Sequence, residues 1–93
     1  MLKVNEYFEG NVKSIALQNQ EGNSTVGVME IGEYEFGTSS VEYMTVISGC
    51  LSVKLPNTDH YTDYKKGETF IVDANQKFQL IVKEQTAYHC LYK

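Results

Sequence analysis

Nine short runs rich in β-branched and aromatic residues, each closed by a turn signal, constrain this chain to an all-β fold. They are Val12–Leu17, Ser24–Glu30, Glu33–Thr38, Glu42–Ser48, Cys50–Leu55, His60–Lys65, Glu68–Val72, Lys77–Val82 and Thr86–Tyr92. Between them stand Glu21-Gly22-Asn23, Gly32, Gly37-Thr38-Ser39-Ser40, Ser48-Gly49, Pro56-Asn57, Lys65-Lys66-Gly67 and Asp73-Ala74-Asn75-Gln76. No window carries a long amphipathic helix. Strands at roughly 8–12-residue spacing with turns between them predict a sandwich or a closed barrel.

Within that frame one side chain is out of keeping. Along Glu42–Ser48 the parity of Glu42, Met44 and Val46 runs carboxylate, thioether, isopropyl, and Leu51, Val53 and Leu55 form the apolar parity of the next run. Alternation aims Glu42 where Met44 and Val46 point, so the carboxylate lies at the mouth of a cavity or is partnered inside one. Phe78, Leu80 and Val82 alternate with Lys77, Gln79 and Lys83, the pattern of one buried and one solvated face. Tyr34, Phe36 and Thr38 share a parity, as do Tyr88, Cys90 and Tyr92.

A chain of 93 residues reads as one domain over residues 1–93. Such a domain buries only about 60–65% of the surface its unfolded chain exposes, so a partner subunit would help to cover its core. The eight basic residues are all Lys, against twelve Asp plus Glu, for a net charge of −4. That balance argues against a nucleic-acid or anionic-membrane surface. Without Arg no guanidinium fork is available, and any bound phosphate must be held by Lys, hydroxyls or backbone N–H groups. The N-terminal stretch lacks the apolar run of a signal peptide, and no stretch approaches the ~20 apolar residues of a membrane-spanning helix. The expected location is cytoplasmic, with Cys50 and Cys90 as reduced thiols.

Two segments carry a resemblance. Glu42 followed by Gly49 matches the end of the first cupin signature, and Gly67-Glu68-Thr69-Phe70-Ile71-Val72 with Phe78 matches the frame of the second. Adding Asn5-x-Tyr7-Phe8-x-Gly10-x-Val12-Lys13-Ser14, Gly32-Glu33-Tyr34-Glu35-Phe36-Gly37-Thr38, Met44-Thr45-Val46-x-Ser48-Gly49 and Tyr88-x-Cys90-x-Tyr92, the chain resembles the small bacterial pyrimidine/purine nucleoside phosphorylases from Asn5 to Tyr92. The resemblance implies a single-domain cupin-like β-barrel of jelly-roll type, cytosolic and homodimeric. It also implies phosphorolysis of purine and pyrimidine nucleosides to free base and ribose 1-phosphate.

The chain departs from metal-binding cupins, which have two His in the first signature and one in the second. Here Phe36, Thr38 and Phe78 stand in those positions, and of four ligand positions only Glu42 survives. One carboxylate without imidazole partners cannot close the coordination shell of a divalent transition metal, so neither metal nor other cofactor is expected. His60 beside a turn and His89 on the parity opposite Tyr88 are expected at the rim or in solvent.

Cleavage of an N-glycosidic bond by phosphate requires stabilisation of an oxocarbenium-like sugar, acceptance of the leaving base and an approach for phosphate on the opposite face. Glu42 is the catalytic candidate. It could accept hydrogen bonds from ribose hydroxyls, stabilise the developing cation or, if protonated, donate to the base. Tyr34, Phe36, Thr38, Met44, Phe70, Phe78 and Tyr88 are the candidate nucleoside-binding residues, the aromatic rings offering stacking faces to any base. Thr38, Ser39, Ser40 and Lys13, with Ser14 beside it, are the phosphate candidates. The residues taken without the resemblance leave two other classes open: a cupin module that binds a nucleoside or sugar without turnover, and a filled barrel acting through an outer sheet.

Overall fold

The computed structural model describes residues Met1–Lys93. It contains ten strands: β1 (Val4–Tyr7), β2 (Val12–Asn19), β3 (Gly22–Met29), β4 (Gly32–Gly37), β5 (Glu42–Ser48), β6 (Cys50–Lys54), β7 (Thr62–Lys65), β8 (Thr69–Val72), β9 (Lys77–Val82) and β10 (Thr86–Tyr92). A 3₁₀ turn at Phe8–Gly10 joins β1 to β2. The strands form a six-stranded sheet in the order β1-β2-β3-β10-β5-β8 and a four-stranded sheet in the order β4-β9-β6-β7. All pairings are antiparallel. The jelly roll expected from the sequence is therefore two facing sheets, the larger overhanging the smaller.

The nine predicted runs correspond to β2–β10. The sequence reading has no counterpart of β1, an edge strand whose side chains are mostly exposed and so carry no alternating apolar signal. It is held by its ladder to β2, from Val4 opposite Ile15 to Tyr7 opposite Val12. The run expected from His60 begins only at Thr62, because Asp59 and His60 stay in the exposed turn.

The core between the sheets follows the alternation. Met44 and Val46 of β5, Leu51 and Val53 of β6, Phe70 and Val72 of β8, and Phe78, Leu80 and Val82 of β9 are all buried. Each contributes roughly 1.5–3 kcal/mol by leaving water. The chain passes from one sheet to the other at Gly49, whose φ of +104° suits glycine. There the fully buried Thr86 hydroxyl donates to the Cys50 carbonyl at 3.1 Å and accepts from the Cys50 N–H at 3.1 Å.

On the inner face of the six-stranded sheet, pairing sets the side chains in rows. One row runs Asn5, Ser14, Gly27, Tyr88 and Val46; the next runs Ala16, Thr25, Cys90, Met44 and Phe70. Gly27 is an opening in this lattice. A Cβ there would lie 2.7 Å from the Tyr88 hydroxyl and 2.6 Å from the Lys13 carbonyl, so the absent side chain is what admits the Tyr88 ring.

Candidate active site

Between the sheets lies a pocket of about 130 Å³ lined by eleven residues. β5 supplies Glu42 and Met44, and β10 supplies Tyr88, Cys90 and Tyr92. The four-stranded sheet supplies Phe36, Gly37 and Phe78, and the wall is completed by Tyr7, Ser14 and Met29. Strand alternation explains the convergence. Glu42 is paired with Tyr92 and Met44 with Cys90, so four inward side chains from two strands face Phe36 and Phe78, themselves paired across β4 and β9.

The aromatic wall is layered. Phe36 and Phe78 stack with centroids 5.8 Å apart and planes at 26°, and Phe78 meets Phe70 edge-on at 6.1 Å. Phe78 and Phe70 are buried, whereas Phe36 is half-buried and borders the open side. No flat ring fits between Phe36 and Phe78. The open apolar surface of the pocket is that of Phe36, Met44, Phe78 and Tyr88.

Glu42 is the only ionisable carboxyl among the lining residues. Burial pushes its carboxyl above the usual carboxylate range, and the Cys90 thiol, donating to Oε1 at 3.4 Å, offsets part of the effect. Burial, reinforced by the neighbouring Glu42 charge, raises the Cys90 thiol far above its ordinary value, and this leaves it a neutral donor rather than a nucleophile. Burial likewise raises Tyr88 to about 12, with the Ser14 hydroxyl beside it pulling the other way. Tyr92 is also raised by burial, and its hydroxyl shares a 3.1 Å hydrogen bond with Thr25. Tyr88, Cys90 and Tyr92 are therefore neutral hydrogen-bonding groups near pH 7, and the charge of the pocket is the charge of Glu42.

This donor set does not suit a divalent transition metal. Phe36 and Phe78 offer the pocket no ligand atom, and no three His, Cys, Asp or Glu side chains converge anywhere in the chain.

The structure brings Glu42, Phe36, Met44, Phe78, Tyr88 and Ser14 to this pocket, and it sets the other candidates elsewhere. Tyr34 is buried beside it, donating to the Glu30 carbonyl at 2.7 Å and packing 5.0 Å from Phe8. Phe70 lies behind Phe78, 4.9 Å from Tyr64. Thr38 clips a loop: its hydroxyl donates to the Asp73 carbonyl at 2.6 Å and accepts from the Gln76 N–H at 3.0 Å, while its own N–H donates to the Gln76 carbonyl. No anion nest is left there, and Ser39 and Ser40 continue the same turn away from the lining. Lys13 faces the opposite side of its sheet, paired with Glu6 at 3.4 Å. Its neighbour Ser14 is the one that turns inward, buried and receiving the Asn5 amide at 3.5 Å. His60 is exposed beside Asp59 at 3.4 Å, and His89 is absent from the pocket.

Tyr7, Met29, Cys90 and Tyr92 also line the pocket but were not among the candidates. The shared parity of Tyr88, Cys90 and Tyr92 is a signal that finds two of them. Tyr7 and Met29 depend on pairings of β1 with β2 and of β3 with β10, which no local pattern announces.

Comparison with known proteins finds relatives along the whole chain. A curated relative from Pseudomonas aeruginosa, named pyrimidine/purine nucleoside phosphorylase, is 56% identical over the whole of both chains. A crystal structure of a protein of unknown function from Vibrio parahaemolyticus, 48% identical, superposes with a TM-score of 0.91 over 97% of this chain and 96% of that one. An RmlC-like cupin from Shewanella frigidimarina, at 16% identity and a TM-score of 0.75, covers 97% of this chain and 81% of its own and shares the cupin fold. The family model described as pyrimidine/purine nucleoside phosphorylase matches residues 2–92, and the chain belongs to that family.

Proposed function

We propose that this protein is a metal-independent, broad-specificity nucleoside phosphorylase, a pentosyltransferase that converts purine or pyrimidine nucleosides and phosphate to free base and ribose 1-phosphate. The observation that carries the reading is a single half-buried carboxyl, Glu42, set against an aromatic and thioether wall in a chain of this family. A pocket of about 130 Å³ is smaller than the roughly 300–1,000 Å³ that encloses a drug-sized ligand. It suits the base, with ribose at the mouth. Phe36, Met44, Phe78 and Tyr88 give the base apolar surroundings without a fixed donor and acceptor code, which favours tolerance of both base classes.

In the proposed reaction protonated Glu42 donates its proton to the base as the C1′–N bond breaks and the bond pair leaves with the base. The carboxylate so formed faces the oxocarbenium-like ribose and stabilises it. An oxygen of hydrogen phosphate bonds to C1′, and the phosphate proton returns to Glu42, so charge and protons balance. Tyr88 and Tyr92, neutral and hydrogen-bonding, orient the ligand.

Homodimerisation has support in the outer face of the six-stranded sheet, where Val4, Ile15, Leu17, Val26, Val28 and Ile71 are exposed. A cytoplasmic location is supported by the two free thiols, Cys50 and Cys90. The test of function is incubation of chelator-treated protein with inosine and uridine, with and without phosphate, following base and ribose 1-phosphate by chromatography. Phosphate-dependent release of both bases is expected. Binding without release from either nucleoside would overturn the enzyme reading in favour of a binding module.

A further inference from the structure

Of the phosphate candidates only Ser14 reaches the pocket, while Thr38, Ser39, Ser40 and Lys13 lie off it and leave it no cation, yet phosphorolysis needs a second reactant next to the ribose. The lattice of the six-stranded sheet offers one continuation. β1, β2 and β3 extend beyond the base pocket, and at their free corner is a groove of about 480 Å³. Tyr92 lines both the pocket and the groove. Its side chain is common to the two, with Glu42 paired to it on the β5 side and Thr25 bonded to its hydroxyl at 3.1 Å on the β3 side.

Half of the groove's lining is apolar, and its other half carries groups that suit an oxyanion. Gln18, Asn23 and Thr25 contribute amides and a hydroxyl, and Lys3 contributes a cation. The β1–β2 ladder continues one step past Val4, because the Ala16 N–H donates to the Lys3 carbonyl at 3.0 Å. That bond sets Lys3 opposite Ala16, on the same side as Asn5 and Ser14. The other lysines of this sheet differ. Lys13 is paired with Glu6 on the outer face, and Lys93 lies over the Tyr43 ring at 5.3 Å. No carboxylate lines the groove to oppose an anion. Neighbouring strands are about 5 Å apart, so an anion held at Thr25 and Asn23 lies one or two strands from the ribose, with the flexible Lys3 stem reaching over from β1.

We infer that the groove bounded by Lys3, Gln18, Asn23, Thr25 and Tyr92 is the inorganic-phosphate subsite, with Tyr92 as the group shared by phosphate and nucleoside. The inference rests on the phosphorylase reading. Lys3 supplies the charge and the amides supply geometry, and the Thr25 and Tyr92 hydroxyls, giving up their 3.1 Å bond to each other, turn their protons to oxygens of the phosphate facing C1′.

The test compares Lys3→Met with Lys13→Met. In phosphate-saturation kinetics at fixed inosine, Lys3→Met raises KM for phosphate by about tenfold or more, the effect of losing one charge-assisted contact. Its KM for inosine and its melting temperature stay at the wild-type values, and Lys13→Met changes none of these. Independently of turnover, titration of wild type with inorganic phosphate shifts the amide resonances of Asn23 and Thr25, and the shifts weaken in Lys3→Met. An active wild type together with an unchanged phosphate KM in Lys3→Met overturns the subsite alone. Absence of any phosphate-dependent turnover in wild type refutes the phosphorylase reading, and the resonance titration then still decides whether the groove binds the anion.

Discussion

Glu42→Gln separates the chemistry of the pocket from its stability. The amide has the shape of the carboxyl and keeps an oxygen to accept the Cys90 thiol, now 3.4 Å from Oε1, so the lining is conserved. What disappears is the proton. The other acidic groups in reach cannot replace it, since Tyr88 is held near 12 and Cys90 and Tyr92 are raised further. Turnover of inosine should therefore fall by the ~10²–10⁴-fold typical of a lost general acid. Stability moves differently. Burial raises the Glu42 carboxyl above 4.5, so between that value and its folded value the native state holds more protons than the unfolded chain, and stability falls as pH rises. Above the folded value the ionised carboxylate keeps a constant desolvation penalty, which Gln does not have. Glu42→Gln is thus expected to match or exceed wild type in urea stability at pH 8 and to lose the acid-side slope. In wild type kcat/KM should decline as pH rises through the Glu42 pKa, because the protonated form is the donor. A folded Glu42→Gln enzyme with near-wild-type turnover would refute the proton-donor role.

Gly27→Ala should lower stability by about 1–3 kcal/mol through overpacking, a fall in Tm of roughly 4–8 °C per kcal/mol. In a Tyr88→Ala background the cost should shrink, since the nearest side-chain atoms at Gly27 belong to Tyr88; equal costs in both backgrounds would dissociate the two residues. Phe78→Ala should cost about 3–5 kcal/mol, as Phe78 is 2% exposed and packed against Phe36 and Phe70, and a urea midpoint within error of wild type would contradict its role in the core. Val26→Asp, in the exposed apolar row of the six-stranded sheet, should shift the particle from dimer to monomer in light scattering; a wild type that is already monomeric would remove that face as an interface.

Legibility in the sequence tracks how local each determinant is. The strands β2–β10 announce themselves because one face of each is apolar, as in Phe78, Leu80 and Val82, and a turn residue closes each run. The inward carboxylate of Glu42 could be found by the same alternation. β1 could not, since its register is fixed by backbone bonds to β2 and its side chains stay wet. Lys13 was a reasonable phosphate candidate by type, but one residue of parity sends it to the outer face while Ser14 goes in. Thr38 shares a parity with Phe36 yet is spent on the loop at Asp73–Gln76, a partnership set 35 residues away in the chain. Pairings of this range are invisible to periodicity.

The lack of imidazoles in the pocket and the raised carboxyl of Glu42 are one feature seen from two sides. An imidazole set would fill the space between the sheets with polar groups and a cation, and the cation would hold Glu42 ionised. Phe36 and Phe78 instead surround Glu42 with apolar surface, and the carboxyl is raised rather than lowered. A carboxyl whose proton is favoured by burial can serve as a general acid, whereas a metal-bound carboxylate cannot. On the proposed reading, the same phenyl rings would give a base an apolar neighbour without a hydrogen-bond code, and the Glu42 proton, held by burial, would be the one the base takes up.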